Sequence, residues 1–370
     1  MQVLFEKIAL LTDPVIEEGY LGVRDGKIDY IGTEKPEGYE HARIIQGKRR
    51  ALIPGLVNTH VHIPMTLMRG FADDYDLETW LHAHIFPAEG KLDARCVRAG
   101  CEIGMAEMLA SGTTSFSDSY FFSDQIAQAV LESGMKANIA RAVTNFQEEV
   151  RLMEFPGTRE AVELYENWNG AGDGRIRIDT AIHAEYTTSK SLWSELGDFA
   201  KEHDMVMQIH MSETEKEHRE CVARYGKTPA RVFYDAGVYD AKTIAAHGVW
   251  LTDEDMDILR ECGVTVAHNP VSNLKLASGI ARVPELLSRG INVSLGTDGV
   301  ASNNNFDLFE ELKLTAILHK GAALDPTVLC ARDAFLLATE NGAAAQGREQ
   351  ECGKLAVGLD ADLAMLDLDK

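Results

Sequence analysis

Hydrophobic and polar positions alternate in short runs over the first fifty residues. They predict strands at Gln2–Leu11, Gly22–Arg24 and Lys27–Tyr30, the last two joined across Asp25-Gly26, a pair suited to a type I′ hairpin turn. From about Ala51 the pattern changes. Apolar, β-branched segments alternate with stretches of helical periodicity such as Asp93–Ala110 and Asp253–Glu261, the signature of parallel strands connected through helices. Strands are expected at 52–60, 113–117, 136–143, 176–183, 205–210, 243–247, 264–267 and 291–296, eight in all, each followed by enough chain for a helical crossover. Eight such units suggest a closed (β/α)8 barrel. A doubly wound open sheet would instead carry a glycine-rich phosphate loop after its first strand, and Pro54-Gly55-Leu56-Val57-Asn58-Thr59-His60 is not one. Gly353–Asp369 alternates again, in Leu363-Ala364-Met365-Leu366-Asp367-Leu368, and can pair with the N-terminal strands. The expected organisation is α/β: a barrel over residues 51–350 and a small β-sandwich domain from residues 1–50 and 351–370.

Composition narrows the partners. Of 370 residues 45% are apolar and 25% charged, as in ordinary globular proteins, and 36 Lys and Arg against 58 Asp and Glu leave a net charge of −22. That field repels nucleic-acid backbones and anionic headgroups, so neither nucleic acid nor membrane is expected as a partner. The six cysteines are scattered with no CxxC pair, which reads as reduced thiols. No apolar run is long enough to span a bilayer and the N-terminal stretch lacks a basic leader region, so a cytoplasmic protein is expected.

The strand ends carry the chemistry. In a barrel the side chains at the C-terminal ends converge on one mouth. The first strand ends in His60-Val61-His62, whose i, i+2 spacing on an extended chain sets both imidazoles on one face. Later strands end at His210, His247 and, in Leu295-Gly296-Thr297-Asp298-Gly299, Asp298. Two strand histidines alone are more simply read as hydrogen-bonded core residues; ligand types at several strand ends change that reading to a mixed N/O metal site. Zn2+ suits it best, one ion per subunit, with Fe2+ or Mn2+ accepting similar ligands. A second HxH, His82-Ala83-His84, falls in a stretch read as helix, where i, i+2 side chains diverge by roughly 200° and cannot share an ion. The cytidine-deaminase type of zinc site, which combines HxE with PCxxC, is absent, since no PCxxC occurs.

Taken together, the PGLVNTHVH segment at 54–62, His210, His247 and Thr297-Asp298-Gly299 resemble the amidohydrolase superfamily. Met65-Thr66-Leu67-Met68-Arg69-Gly70, His210-Met211-Ser212-Glu213-Thr214, Ala246-His247-Gly248-Val249-Trp250-Leu251 and the segment His268 to Gly279 resemble its 5-methylthioadenosine/S-adenosylhomocysteine deaminases. The resemblance implies a metal held by His60, His62, His210 and Asp298, with His247 beside it, and hydrolytic replacement of the 6-amino group of an adenosine-type nucleoside. Asp298 would take a proton from water, His247 would orient that water, and Glu213 would protonate the ring nitrogen and contact the base. Glu89 matches a residue for the ribose diol, His183 a nucleoside contact and Arg141 a holder of the homocysteine carboxylate, while Trp80 could pack on the base or thioether. Without the family, Glu213 and Glu89 would be ordinary solvated glutamates, His183 a core histidine and Arg141 a structural ion pair. A second tail-binding arginine is missing: its place falls on Met153, with Arg151 nearby.

The expected partner is therefore a small nucleoside, and self-association into a homo-oligomer is compatible with the sequence. A deaminase of a free base such as guanine is the nearest alternative, against which Glu89 and Arg141 argue. Amidases with two metals bridged by a lysine are disfavoured, since no lysine stands at a predicted strand end. A non-catalytic scaffold, the reading from another class, would not be expected to keep every ligand.

Overall fold

In the computed structural model, which describes residues 1–147 and 150–369, two sheets divide the chain. The first collects β1 (Gln2–Leu10), β2 (Ile16–Arg24), β3 (Lys27–Gly32), β4 (Arg43–Gln46) and β5 (Arg50–Pro54). The second runs through β6 (Leu56–Val61), β7 (Thr113–Tyr120), β8 (Lys136–Val143), β9 (Ile176–Ile182), β10 (Met207–Met211), β11 (Thr243–His247), β12 (Thr265–His268) and β13 (Val293–Leu295), and β14 (Leu363–Asp367) returns to the first.

The eight strands β6 to β13 are parallel and ordered by sequence. Between β13 and β6 the barrel is drawn shut by side chains and loop amides: Thr59 Oγ1 donates to the Leu295 carbonyl at 2.8 Å, Thr297 N to Asn58 Oδ1 at 3.1 Å and Asp298 N to the His60 carbonyl at 2.9 Å. Helices follow the strands on the outside. They start where a side-chain oxygen can satisfy an early amide, as Asp93 does for Cys96 N at 2.8 Å ahead of the helix Ala94–Ala110. Thr252 and Asp255 form a reciprocal capping box ahead of Asp253–Cys262.

The small sheet departs from the expected sandwich. Hydrogen bonding joins its six strands in one sheet that forks at β1, where Lys7 takes a positive φ. Val3–Glu6 pair with β4, and Ala9–Leu10 with β5. The sheet closes on its own core of Val3, Ile8, Leu10, Leu21, Val23, Ile28, Leu52 and Leu355. Asp25 and Gly26 both have positive φ, 50° and 83°, as the hairpin turn between Arg24 and Lys27 requires. The strand predicted at 52–60 is two strands. Arg50–Pro54 lies antiparallel to β14 in the small sheet, and after Gly55, packed where a Cβ would strike Thr114, the chain enters the barrel as β6. The N-terminal strands of the small sheet thus run from Gln2 to Pro54.

Beneath the barrel, at the strand N-termini, Arg348 is wholly buried. Its guanidinium donates to Asn138 Oδ1 at 2.9 Å, to the carbonyls of Gly174, Ala137 and Arg175 at 3.1, 3.2 and 2.9 Å, and to Glu351 Oε2 at 2.8 Å. The bottom is sealed by polar contacts, leaving the opposite mouth as the open end. No helix among the described residues is long and apolar enough to cross a membrane.

Candidate active site

His60 lies on β6 and His62 just past its end, two residues apart, so their rings meet edge to face with centroids 4.9 Å apart. His210 on β10 completes a triangle: its ring is 4.8 Å from that of His60 and 5.2 Å from that of His62. Main-chain carbonyls fix the orientation of two of these rings. His62 Nδ1 donates to the Ser119 carbonyl and His210 Nδ1 to that of His183, both at 2.7 Å. The Nε2 atoms of these neutral rings therefore carry lone pairs, and they face each other at 3.2 Å. Lone pairs that close repel unless an electrophile lies between them. His60 Nε2 is buried with no hydrogen-bond partner, and Asp298 Oδ1 lies 3.5 Å from it and 3.4 Å from His62 Nε2.

Electrostatics favour a cation at this point. Burial lowers His60 to about 4, against the pull of Asp298, and lowers His62 and, further, His210, so the imidazoles are neutral at pH 7. Burial acting alone would raise Asp298; the adjacent His60 and the surrounding imidazoles outweigh it and hold the carboxyl well below the usual range. The His60, His62 and His210 nitrogens lie within 4.8 Å of one another, Asp298 Oδ1 lies within 3.5 Å of the first two, and His247 lies within 4.8 Å of His60 and Asp298, a mixed N/O donor set that fits a divalent transition metal.

The acid and base candidates surround this point. His247 Nε2 is 3.8 Å from Glu213 Oε2, and both side chains are buried. Burial raises Glu213, opposed by His247. His247 is raised in spite of its burial, by the charges of Glu213 and Asp298 and by its hydrogen bond to Asn273. Ser212, His247 and Asp298 all have positive φ, 49°, 74° and 61°, a strain of about 1–3 kcal/mol each that clusters where the strands end.

Above the floor lies a cavity of about 220 Å³ lined by His62, His210, Glu213, His247 and Asp298 together with Trp80, Glu89, Arg141 and His183. Every site residue expected from sequence is thus in one place, with His60 just beneath the lining. Trp80 arrives on the widened π-helical turn Trp80–Ile85, and Glu89 ends the short helix Phe86–Glu89. His183 follows β9, bonds Thr187 Oγ1 through Nδ1 at 2.8 Å and packs 4.7 Å from the His210 ring. Arg141 reaches in from β8 but is already paired, Nε to Glu160 Oε2 at 2.6 Å. Arg151 is outside the cavity lining, 74% exposed and 3.2 Å from Glu195, and Met153 is exposed. The second histidine pair is also elsewhere: His84 packs on Tyr75 and His82 on Phe86.

Residues given no individual role from sequence hold the reactive groups. One segment following β12 supports all three: Ser272 Oγ donates to Asp298 Oδ2 at 2.7 Å, Asn273 Oδ1 accepts from His247 Nδ1 at 2.8 Å and Ser278 Oγ donates to Glu213 Oε1 at 3.3 Å. Gly299 N and Ser302 Oγ add bonds to Asp298 at 2.7 and 3.0 Å. Tyr120 contributes a buried hydroxyl to the lining without a hydrogen-bond partner.

The profile of the Amidohydrolase family matches residues 51–370. The chain belongs to that family. The 5-methylthioadenosine/S-adenosylhomocysteine deaminase of Acetivibrio thermocellus is 40% identical to this amidohydrolase over 381 residues, spanning 100% of the chain and 86% of the relative. The 5'-deoxyadenosine deaminase of Methanocaldococcus jannaschii is 46% identical over 351 residues, spanning 94% and 82%. Among solved structures, an adenosine deaminase from Xanthomonas campestris with bound zinc superposes with a TM-score of 0.92 at 35% identity, covering 99% of this chain and 84% of that one.

Proposed function

We propose that this amidohydrolase is a zinc-dependent hydrolytic deaminase. It replaces the 6-amino group of adenosine-type nucleosides with oxygen, releasing ammonia. The observation that carries the reading is the convergence of His60, His62, His210 and Asp298 at the floor of a cavity that also holds Glu213, Glu89, Arg141 and His183. A base alone would leave Glu89 without a ribose to hold. Six free thiols, several buried, suit a reducing compartment such as the cytoplasm.

The chemistry that one divalent ion per chain supplies when bound is acidification of water towards neutral pH. The rest belongs to the chain. Glu213, whose carboxyl burial pushes upward against the opposing His247, gives a proton to N1 of the purine and makes C6 electrophilic. Asp298, anionic and held by Ser272 and Ser302, accepts the proton of the attacking water and passes it to the departing amine. His247, with Nδ1 tied to Asn273, presents Nε2 to orient that water. Glu89 accepts the two ribose hydroxyls and His183 contacts the nucleoside, while Trp80 closes over it as an apolar wall.

The test is turnover of 5′-methylthioadenosine, 5′-deoxyadenosine, adenosine, adenine and guanine by zinc-loaded protein, followed by ammonia release. Nucleosides are expected to react and free bases not. Glu213→Gln should lose about 10²–10⁴-fold in kcat while keeping its metal. Turnover of guanine without turnover of nucleosides would overturn the reading.

A further inference from the structure

The nucleoside cavity continues outward into a second cavity of about 550 Å³, sharing Glu89, Phe121 and Arg141 with it. A nucleoside whose C6 sits over the metal floor and whose ribose meets Glu89 must send its 5′ carbon past Arg141 into this outer space. What lines it determines what the 5′ group can be. Among the described residues, Arg141 is the single Lys or Arg lining either cavity, and the outer cavity is lined by three carboxylates, Glu89, Asp124 and Glu160.

That guanidinium is already engaged at two of its three nitrogens, with Nη2 alone making no hydrogen bond among the described residues. Glu160 Oε2 occupies Nε at 2.6 Å and the Ala142 carbonyl takes Nη1. A two-pronged carboxylate grip needs two adjacent N–H donors on one edge of the plane, and an incoming anion would meet the charge of Glu160 beside it. Arg151 points to Glu195 instead. The remaining walls are apolar: Phe121, Phe122, Leu92 and Leu164.

On this ground, and resting on the deaminase reading above, we infer that Glu160 is a positioning residue for specificity. By occupying Arg141 it selects adenosine derivatives with an uncharged, apolar 5′ group over those whose 5′ group ends in a carboxylate.

The experiment compares 5′-methylthioadenosine with S-adenosylhomocysteine, which differ only beyond the sulfur, on zinc-loaded wild type, Glu160→Gln and Glu160→Asp. Wild type should favour the methylthio compound in kcat/KM by about tenfold or more, a difference of about 1.4 kcal/mol. Glu160→Gln should move the ratio at least about fivefold towards the carboxylate-bearing substrate, and Glu160→Asp should keep the wild-type ratio. General damage to the site would lower both substrates together and leave the ratio unchanged. Dissociation constants for the two products, 5′-methylthioinosine and S-inosylhomocysteine, measured calorimetrically, give the same ratio without turnover. If neither substrate is deaminated, the reaction assigned above falls, while the binding ratio still decides the role of Glu160. An unchanged ratio in Glu160→Gln, a wild type that prefers S-adenosylhomocysteine, or binding of neither product would overturn the inference.

Discussion

Asn273 touches none of the expected metal ligands, yet the account gives it a large effect on rate. Its Oδ1 accepts from His247 Nδ1 at 2.8 Å, and both residues are about 1% exposed, so water has little access to replace the bond. Asn273→Ala leaves a buried imidazole N–H unsatisfied, which costs about 1–3 kcal/mol. It also frees the ring to carry its proton on Nε2, the nitrogen that must orient the water. If that cost falls on the transition state, kcat drops by about 5- to 150-fold. KM should stay within about twofold, because Asn273 does not line the cavity. Asn273→Asp keeps an acceptor at the same place and should recover part of the rate. The assay is steady-state kinetics on 5′-methylthioadenosine with metal content measured on the same samples. A kcat within twofold of wild type, at full metal content, would refute the claim that this bond sets the working form of His247.

Three further outcomes follow from the geometry. Burial lifts Glu89 to about 7 against the pull of Tyr120. Below that pH the carboxyl is protonated and loses acceptor capacity; KM for nucleosides should therefore fall about tenfold between pH 6 and pH 8, and a KM–pH profile of Glu89→Gln should be flat. Replacing Arg348 by Met strips donors from Asn138, Glu351 and three buried carbonyls, an expected loss of about 3–5 kcal/mol, or about 4–6 °C in Tm for a chain of this length. Calorimetry showing an unchanged Tm would contradict the sealing role given to that guanidinium. Lys136 joins the barrel to the C-terminal segment through Asp360 and Asp362. Lys136→Met should cost about 2 kcal/mol in urea unfolding, since it leaves two half-buried carboxylates facing each other.

The barrel was legible in the sequence because each of its strands is a short apolar run followed by a helical period, and β7 to β13 overlap the expected positions. The split at Gly55 was not. Leu52-Ile53-Pro54 and Leu56-Val57 are buried on both sides of it, so no change of polarity marks the passage from one sheet to the other. The N-terminal part of β2 was missed because Glu17 and Glu18 are exposed and break the apolar alternation. At the site, His60, His62, His210, His247 and Asp298 could be read from type and strand-end position, while Glu213, Glu89, His183, Arg141 and Trp80 were proposed through the family resemblance. The partners that orient them could not be read. The acceptors for His62 and His210 are main-chain carbonyls, of Ser119 and His183, which any residue supplies. Ser272, Asn273 and Ser278 act across the barrel mouth on side chains from 26 to 65 residues away in sequence, contacts that only the closed fold creates. The resemblance assigned Arg141 to a homocysteine carboxylate, and its pairing with Glu160, in the helix after β8, is a contact that the sequence does not mark.

The most direct test of the central claim titrates Zn2+ into chelator-stripped protein while following both metal content and release of ammonia from 5′-methylthioadenosine. The account predicts activity that rises in proportion to bound metal and stops at one equivalent per chain, with His60→Ala and His210→Ala neither retaining the ion nor reacting. Full turnover by the metal-free protein, or by a His60→Ala variant, would contradict it.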